Sequence, residues 1–287
     1  MRQYPHFLPR KASNASHFYQ YMAGLWEGDG HADRKYQTYI AFTRFCGAQR
    51  DKRSTFHRKN KSLVHFVQLH VGGSLRYKKE QNAYVLTLRK KHSLAHFLMH
   101  MQNTLRTPKY HDLQAFPFPY AYKATNQGLF TNGWLAGFID ADGGFKIRFT
   151  QQKKDVFTNK TLTKRRIALS FALEQRKTHP LTGESFEPIM QQIAKGFDIR
   201  LRESRHNDKF YWCIELSGRK KLQRLVAYLE TFPLLSCKRH DFEDWKKAYA
   251  LVCAGKHVQE EGRAILWKIK QNMNRQRDVF CWKHLWF

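Results

Sequence analysis

Between Phe145 and Thr150 apolar and polar residues alternate strictly, with Phe145, Ile147 and Phe149 on one side and Lys146, Arg148 and Thr150 on the other. A two-residue period of this kind predicts a half-buried strand. Ile167, Leu169, Phe171 and Leu173 alternate in the same way, and a helical stretch near Phe186 to Gly196 follows. Ile199-Arg200-Leu201-Arg202 then reads as a third strand with Arg200 and Arg202 on its polar face. A turn at Asn207-Asp208 leads to a fourth strand with Trp212, Ile214 and Leu216 toward the core. The same order occurs more loosely upstream: Ile40 and Phe42 in a strand, then Leu63 to Val71, Leu75 to Lys79 and Tyr84 to Leu88. Leu63 to Val71 fits either period, and it is assigned as helix because its position matches the downstream helix. Arg76 and Lys78 share the face opposite Leu75 and Tyr77, in parallel with Arg200 and Arg202. The pattern predicts an α+β chain of two related halves, each with a sheet that is greasy on one side and basic on the other.

Each series is preceded by a related segment, Met22-Ala-Gly-Leu-Trp-Glu-Gly-Asp-Gly30 and Leu135-Ala-Gly-Phe-Ile-Asp-Ala-Asp-Gly143. Gly24 and Gly28, and likewise Gly137 and Ala141, are four apart, so each helix presents a stripe free of bulky side chains to a neighbour. Leu25, Trp26, Phe138 and Ile139 occupy the other faces and anchor each helix in its own half. Gly30 and Gly143 read as glycines that end the helices. Duplication implies a pseudo-twofold molecule, with Asp29 and Asp142 meeting near its axis. Carboxylates at two adjacent helix C-termini concentrate negative charge. Their repulsion raises a pKa or calls for a cation, and carboxylate oxygens, main-chain oxygens at Gly28 and Ala141, and water are the hard ligands Mg²⁺ prefers. A second repeat closes each half: Pro108-Lys-Tyr-His-Asp-Leu113 and Ser236-Cys-Lys-Arg-His-Asp-Phe242 share Lys-x-His-Asp followed by an apolar residue.

Charge narrows the class of partner. The 287-residue chain carries 51 Lys and Arg against 23 Asp and Glu, a formal charge of +28, and its 15% aromatic content separates it from a structureless basic tail. Residues 34 to 111 hold 17 Lys or Arg against only Asp51 and Glu80. A polyanion is the expected partner, with salt-dependent binding. Five cysteines, odd in number and without a C-x-x-C pair, point to reduced thiols inside a cell. His96 and His100 read as ordinary helix residues. No stretch is long and apolar enough for a membrane span. The first 26 residues contain Arg2, Arg10 and Lys11 and no acid, which suits a transit peptide and a DNA-contacting arm equally.

The duplicated segments resemble the LAGLIDADG homing endonuclease family in its single-chain, two-motif form. The first motif departs at Met22, Trp26, Glu27 and Gly28 but keeps the eighth-position acid, Asp29. The second departs only at Phe138. The resemblance implies two αββαββα halves forming a DNA-binding saddle with the motif helices at the central interface. It also implies metal binding by Asp29 and Asp142 and active-site roles for Lys109, Lys238 and Gln175, with Gln49 a looser counterpart of Gln175. Glu27 and Asp140 match the sixth position, which is not the main metal ligand. The basic sheet faces, read as DNA-contacting, contribute Arg44, Arg76, Lys78, Arg89, Lys146, Arg148, Thr150, Arg200 and Arg202.

The chain divides into an N-terminal arm (1–18), a first half (19–120), a linker (121–132), a second half (133–255) and a C-terminal extension (256–287) whose Trp267, Trp282 and Trp286 are expected to pack on the body. The activity implied is site-specific double-strand cleavage of a long asymmetric DNA target by a monomer, using Mg²⁺ with Ca²⁺ or Mn²⁺ able to substitute for binding. The gene is expected in a mobile intron, and the protein in a mitochondrion or chloroplast. An RNA maturase acting on its host intron RNA, and a non-cleaving DNA-binding regulator, are the alternatives.

Overall fold

The computed structural model describes residues 15–33, 37–42, 60–79, 83–114, 116–126, 128–154, 156–158, 161–163 and 165–285. Arg44, Cys46, Gln49 and Trp286 lie outside them. The first half runs α1 (Ala15–Asp29), β1 (Gly30–Asp33), β2 (Gln37–Phe42), α2 (Lys61–Val71), β3 (Ser74–Lys78), β4 (Ala83–Leu88), α3 (Lys91–Met101) and a short α4 (Tyr110–Gln114). The second runs α5 (Trp134–Asp142), β5 (Gly143–Thr150), a small hairpin β6 (Lys153–Lys154) and β7 (Thr161–Thr163), then β8 (Arg166–Arg176), α6 (Glu187–Gly196), β9 (Arg202–His206), β10 (Lys209–Ser217), α7 (Arg219–Thr231) and α8 (Lys238–Cys253). Helix α9 (Glu260–Gln271) follows. The αββαββα order therefore occurs twice, in two antiparallel sheets of matching topology, β1-β2-β4-β3 and β5-β8-β10-β9.

Burial follows the sequence periods. In β5 and β8, Phe145, Ile147, Ile167, Leu169, Phe171 and Leu173 are all buried. Lys146 pairs with Ser170, Arg148 with Ala168 and Thr150 with Arg166 on the opposite face. The ambiguous Leu63 to Val71 segment is helical because Leu63, Val64, Phe66, Val67 and Val71 are buried while Leu69 is exposed, a 3.6-residue stripe rather than an alternation.

Two sequence expectations change. Helix α1 begins at Ala15, so 15–18 is not arm but the first turn of the motif helix; buried Phe18 meets Phe66 edge to face at 5.9 Å. Ile199 to Leu201 is a connector, and strand β9 starts only at Arg202, opposite Cys213. The cause lies at the end of α6, where Asp198 takes φ 56° and the Ile199 N–H bonds back to the Ala194 carbonyl at 3.0 Å. Arg202 sits in the sheet, whereas exposed Arg200 does not. The extension packs on the body through aliphatic and tryptophan side chains alike: Leu266, Met273 and Leu285 are buried, Trp282 lies against the core beside His240, and Trp267, 46% exposed, touches Phe149 edge on. Arg277 secures the same segment by donating to Asp241 and Asp244 on α8.

Helices α1 and α5 cross at the centre, and the close approach runs through the small-residue stripe. A Cβ placed on Gly24 would lie 1.9 Å from the Trp134 carbonyl oxygen and 2.8 Å from the Phe138 nitrogen. One placed on Gly137 would lie 1.9 Å from the Tyr21 carbonyl oxygen and 2.8 Å from the Leu25 nitrogen. The two sets of contacts are images of each other, because Tyr21 and Leu25 occupy the motif positions of Trp134 and Phe138. This equality is the pseudo-twofold axis expressed in distances.

Candidate active site

The crossing brings the C-terminal ends of α1 and α5 together. Gly30 and Gly143 are not left-handed caps: Gly143 is extended (φ −79°, ψ 156°), and Gly30 opens β1. Their lack of a Cβ serves packing instead, since one on Gly30 would lie 2.1 Å from the Trp26 ring and one on Gly143 2.8 Å from the Ile139 carbonyl oxygen. Each helix thus passes directly into the first strand of its sheet, which sets its last acid at the edge of that sheet.

Asp29 and Asp142 occupy those ends. The Asp29 Oδ2 is buried and accepts no hydrogen bond from any described residue. Asp142 Oδ2 accepts from Gln175 Nε2 at 3.1 Å, and would lie 3.2 Å from a Cβ on Gly28 of the opposing helix. Burial, and then the charge of Asp142, push the Asp29 carboxyl well above the ordinary aspartate range, with Lys238 and Lys109 pulling the other way. Burial also raises Asp142, against the pull of Lys238, Lys109, Arg176 and the Gln175 hydrogen bond. Two acids therefore influence each other in a low-dielectric pocket, with one oxygen left unsatisfied.

The two lysines meet the helix ends from below. Lys109 Nζ donates to the carbonyls of Trp26, Gly28 and Gly30 at 3.3, 3.2 and 2.7 Å. Lys238 Nζ donates to those of Ile139 and Ala141 at 2.9 and 3.4 Å. These carbonyls lie in or just beyond the last turns of the two helices, the Ile139 one also accepting the Gly143 N–H, and the lysines place positive charge at the negative ends of both helix dipoles. Burial lowers the Lys109 pKa, opposed by Asp142 and Asp29.

The sixth-position acids are structural anchors of a specific kind. Buried Glu27 accepts from the Arg106 and Thr107 amides, from Thr107 Oγ1 at 2.6 Å and from Trp134 Nε1 at 2.6 Å. Buried Asp140 accepts from the Leu235 and Ser236 amides, from Ser236 Oγ at 2.6 Å and from the Tyr21 hydroxyl at 2.5 Å. Thr107 and Ser236 in turn accept from the amides of Lys109 and Lys238, at 3.3 and 3.0 Å. Sequence reasoning passed over Tyr21, Trp134, Thr107, Ser236 and Arg176. The first four form aligned pairs, one residue before each motif and two before each lysine, so extending the repeat alignment outward by those offsets reveals them.

The exposed face of the second sheet carries Lys146, Arg148, Arg166, Arg176, Arg202 and Lys209. Glu174 and Glu215 interrupt it, and Glu174 accepts from His206 at 3.0 Å. In the first sheet, Arg76 and Lys78 face away from Leu75 and Tyr77, which pair with Leu86 and Tyr84, and Arg89 is exposed just past β4.

Known proteins share both the sequence pattern and the architecture. A family model described as LAGLIDADG endonuclease matches residues 135–249. The chain is 28% identical over 284 residues to the uncharacterized cox1 intron-2 37.2 kDa protein of Schizosaccharomyces pombe, covering 93% of this chain and 77% of that one. It is 30% identical over 97 residues to the probable intron-encoded DNA endonuclease aI1 of Mycosarcoma maydis, spanning 33% of this chain and 80% of that protein. The chain belongs to the LAGLIDADG endonuclease family. Its fold is that of the LAGLIDADG meganuclease I-AabMI bound to uncleaved DNA (TM-score 0.63, 18% identity, 90% of this chain and 99% of that one) and of I-LtrWI bound to target DNA (0.64, 15%, 92% and 100%). Relative to the family motif, the LAGLIDADG helix α1 carries Glu27 and Gly28 where the name spells Asp and Ala, and the geometry absorbs both: Glu27 reaches the Thr107 loop, and Gly28 makes room for Ala141, whose Cβ would lie 2.0 Å from a Cβ on Gly28.

The residues fit a divalent ion. An unsatisfied buried carboxylate oxygen on Asp29, the facing Asp142 carboxylate and nearby main-chain carbonyls are a hard-oxygen donor set of the kind Mg²⁺ and Ca²⁺ accept. No group of three His, Cys, Asp or Glu side chains suited to a metal occurs among the described residues, so the ion would rest on the carboxylate pair, completed by carbonyls, water or substrate phosphate. Gly28 and Ala141 carbonyls already accept from the lysines, and a carbonyl has a second lone pair to offer.

The raised Asp29 pKa has a stability consequence with a definite sign. In metal-free protein the folded state favours the protonated acid; this contribution is complete below the ordinary value of 3.8 and lost as pH rises through the higher folded value. Asp29→Asn keeps that side chain uncharged at every pH. In the presence of EDTA its Tm advantage over the parent is expected to grow between about pH 4 and about pH 8. Thermal melts across that range check it, and an advantage independent of pH would show that Asp29 is not held in a charge-averse pocket.

Proposed function

We propose that this chain is an intron-encoded homing endonuclease that acts as a monomer on a long, asymmetric DNA duplex and breaks both strands by Mg²⁺-dependent phosphodiester hydrolysis, in an organelle whose genome carries the intron. The observation that carries this reading is the meeting of Asp29 and Asp142 at two helix ends held by Lys109 and Lys238. Asp29 and Asp142 would hold the divalent ion, which when bound lowers the pKa of attacking water and neutralises charge on the scissile phosphate. Gln175 fixes the orientation of the Asp142 carboxylate. The lysine ammonium groups, pinned to backbone carbonyls, keep positive charge in place before substrate arrives, so little reorganisation accompanies charge development on the phosphate.

The sheet faces would supply the grip. Arg76, Lys78, Arg89, Lys146, Arg148, Thr150 and Arg202 would meet a duplex laid along the two sheets, with Arg166, Arg176 and Lys209 as additions and Arg200 beside the strands; Arg44 lies outside the described residues. Phosphate contacts by such residues make affinity fall with salt, by roughly 0.9 in the log-log slope per phosphate contacted. Arg148→Ala is expected to shallow the slope by about one if it contacts a phosphate, or to relax one base position at unchanged slope if it reads a base edge. Filter binding from low to moderate salt separates these outcomes, and an unchanged slope with unchanged base preference would remove Arg148 from the interface.

The functional test is selection of cleaved sequences from a randomised duplex library in Mg²⁺, followed by transfer of the selected site to a supercoiled plasmid. The reading predicts linear product that EDTA abolishes. Tight binding without strand scission would instead make the chain a regulator.

A further inference from the structure

We propose that the two halves position their active-site lysines crosswise: Trp134 of the second half sets Lys109 of the first, and Tyr21 of the first half sets Lys238 of the second. The inference rests on the endonuclease reading and goes beyond it, because it assigns each strand cut a control residue on the opposite motif helix.

The connection is continuous in hydrogen bonds. Trp134 Nε1 donates to Glu27 Oε2 at 2.6 Å; Glu27 holds the amides of Arg106 and Thr107 and the Thr107 hydroxyl; Thr107 Oγ1 accepts the Lys109 amide at 3.3 Å. On the other side the Tyr21 hydroxyl donates to Asp140 Oδ2 at 2.5 Å; Asp140 holds the amides of Leu235 and Ser236 and the Ser236 hydroxyl; Ser236 Oγ accepts the Lys238 amide at 3.0 Å. Every group in both chains is buried except Lys109, which is partly so. A carboxylate at full burial accepts hydrogen bonds in fixed directions, and losing one donor lets it rotate toward the remaining ones. The loop that hangs from it then shifts, and the lysine with it.

Two features set this apart from ordinary core packing. The donors differ chemically, an indole N–H in one half and a phenol O–H in the other, yet they occupy the same position, one residue before each motif, and meet the same sixth-position acid. One bond to each acid also crosses the axis: beside the donors from its own half, Glu27 takes the Trp134 indole N–H and Asp140 the Tyr21 hydroxyl of the facing helix. The loop that carries each lysine thus takes one of its anchoring hydrogen bonds from the opposite motif helix, in addition to those within its own half. Trp134, Tyr21, Glu27 and Asp140 act as positioning residues, since none of them reaches the reacting atoms.

The test is strand-resolved cleavage of the duplex that the wild-type chain selects from a randomised library, with the two strands carrying different end labels. Tyr21→Phe removes only the hydroxyl; Trp134→Phe removes the indole N–H and some volume, so Trp134→His, which can retain a ring donor, serves as its companion. Tyr21→Phe and Trp134→Phe are expected to slow opposite strands by about 10²-fold each, the scale set by displacing a catalytic group by about an ångström, leaving nicked intermediates broken on complementary strands. Trp134→His is expected to regain part of the lost rate on the affected strand. Equal slowing of both strands by either variant, bias toward the same strand from both, or no slowing despite an intact fold would overturn the crosswise assignment. A wild-type chain that cuts no duplex overturns the endonuclease reading instead, so the two failures are told apart by the unmodified protein.

Discussion

Asp142→Asn is expected to reduce cleavage of the selected duplex by roughly 10³-fold or more while leaving the protein folded, DNA-binding and, without metal, slightly more stable than its parent. Asn keeps the shape of the side chain and can still accept from Gln175 through its carbonyl. It lacks the charge that would hold a divalent ion, and it relieves the repulsion that, after burial, raises the pKa of Asp29. Asp29→Asn is expected to behave likewise. Stability and activity moving in opposite directions is the signature of an acid pair kept for chemistry, because a pair kept for structure loses stability when broken. Single-turnover cleavage with thermal melts in EDTA decides the matter. Retention of cleavage by either variant within a few fold, or a drop in Tm without metal, would count against the site.

Gly137→Val is expected to prevent assembly of the core or to lower stability by about 3 kcal/mol or more, at or beyond the upper end for overpacking. The added Cβ would meet the Tyr21 carbonyl oxygen at 1.9 Å, and no rotamer relieves a clash with backbone. Gly24→Val meets the same obstacle at Trp134 and should match it in size, since the contact is its image across the axis. Gly144→Ala is the control: a Cβ there meets nothing within 4 Å, and its stability should stay within about 0.5 kcal/mol of the parent. Denaturant melts of the three variants rank them. Equal tolerance at Gly137 and Gly144 would mean that the motif helices do not touch through their small-residue stripe.

The parts of the structure legible in the sequence were those governed by short periods and by repetition. Alternation at Phe145 to Thr150 and Ile167 to Leu173 placed β5 and β8, and the four-residue spacing of Gly24 with Gly28 and of Gly137 with Ala141 placed the helix contact. The repeat also drew attention to Lys109 and Lys238. What it could not show was how those lysines are held, because their partners are main-chain carbonyls, which every sequence has. Arg200 departs from its expected strand for a related reason: Ile199 and Leu201 alternate with arginines as a strand would, but the backbone is still leaving α6, whose end turns through Asp198 in the left-handed region. Residue type alone suggests caps at Gly30 and Gly143, whereas neighbouring side chains and backbone, brought in only by the tertiary fold, account for them. The sequence shows no positive role for Glu27 and Asp140, since the groups that bind them come from loops some 80 and 95 residues away and from the opposite motif helix.

The central claim is that Asp29 and Asp142 share a divalent ion at the axis between the motif helices. Anomalous scattering from Mn²⁺ in crystals of the chain with its selected duplex tests this most directly. The account predicts a manganese peak in direct contact with carboxylate oxygens of both residues. Manganese bound elsewhere, or carboxylates separated on different sides of the molecule, would contradict it.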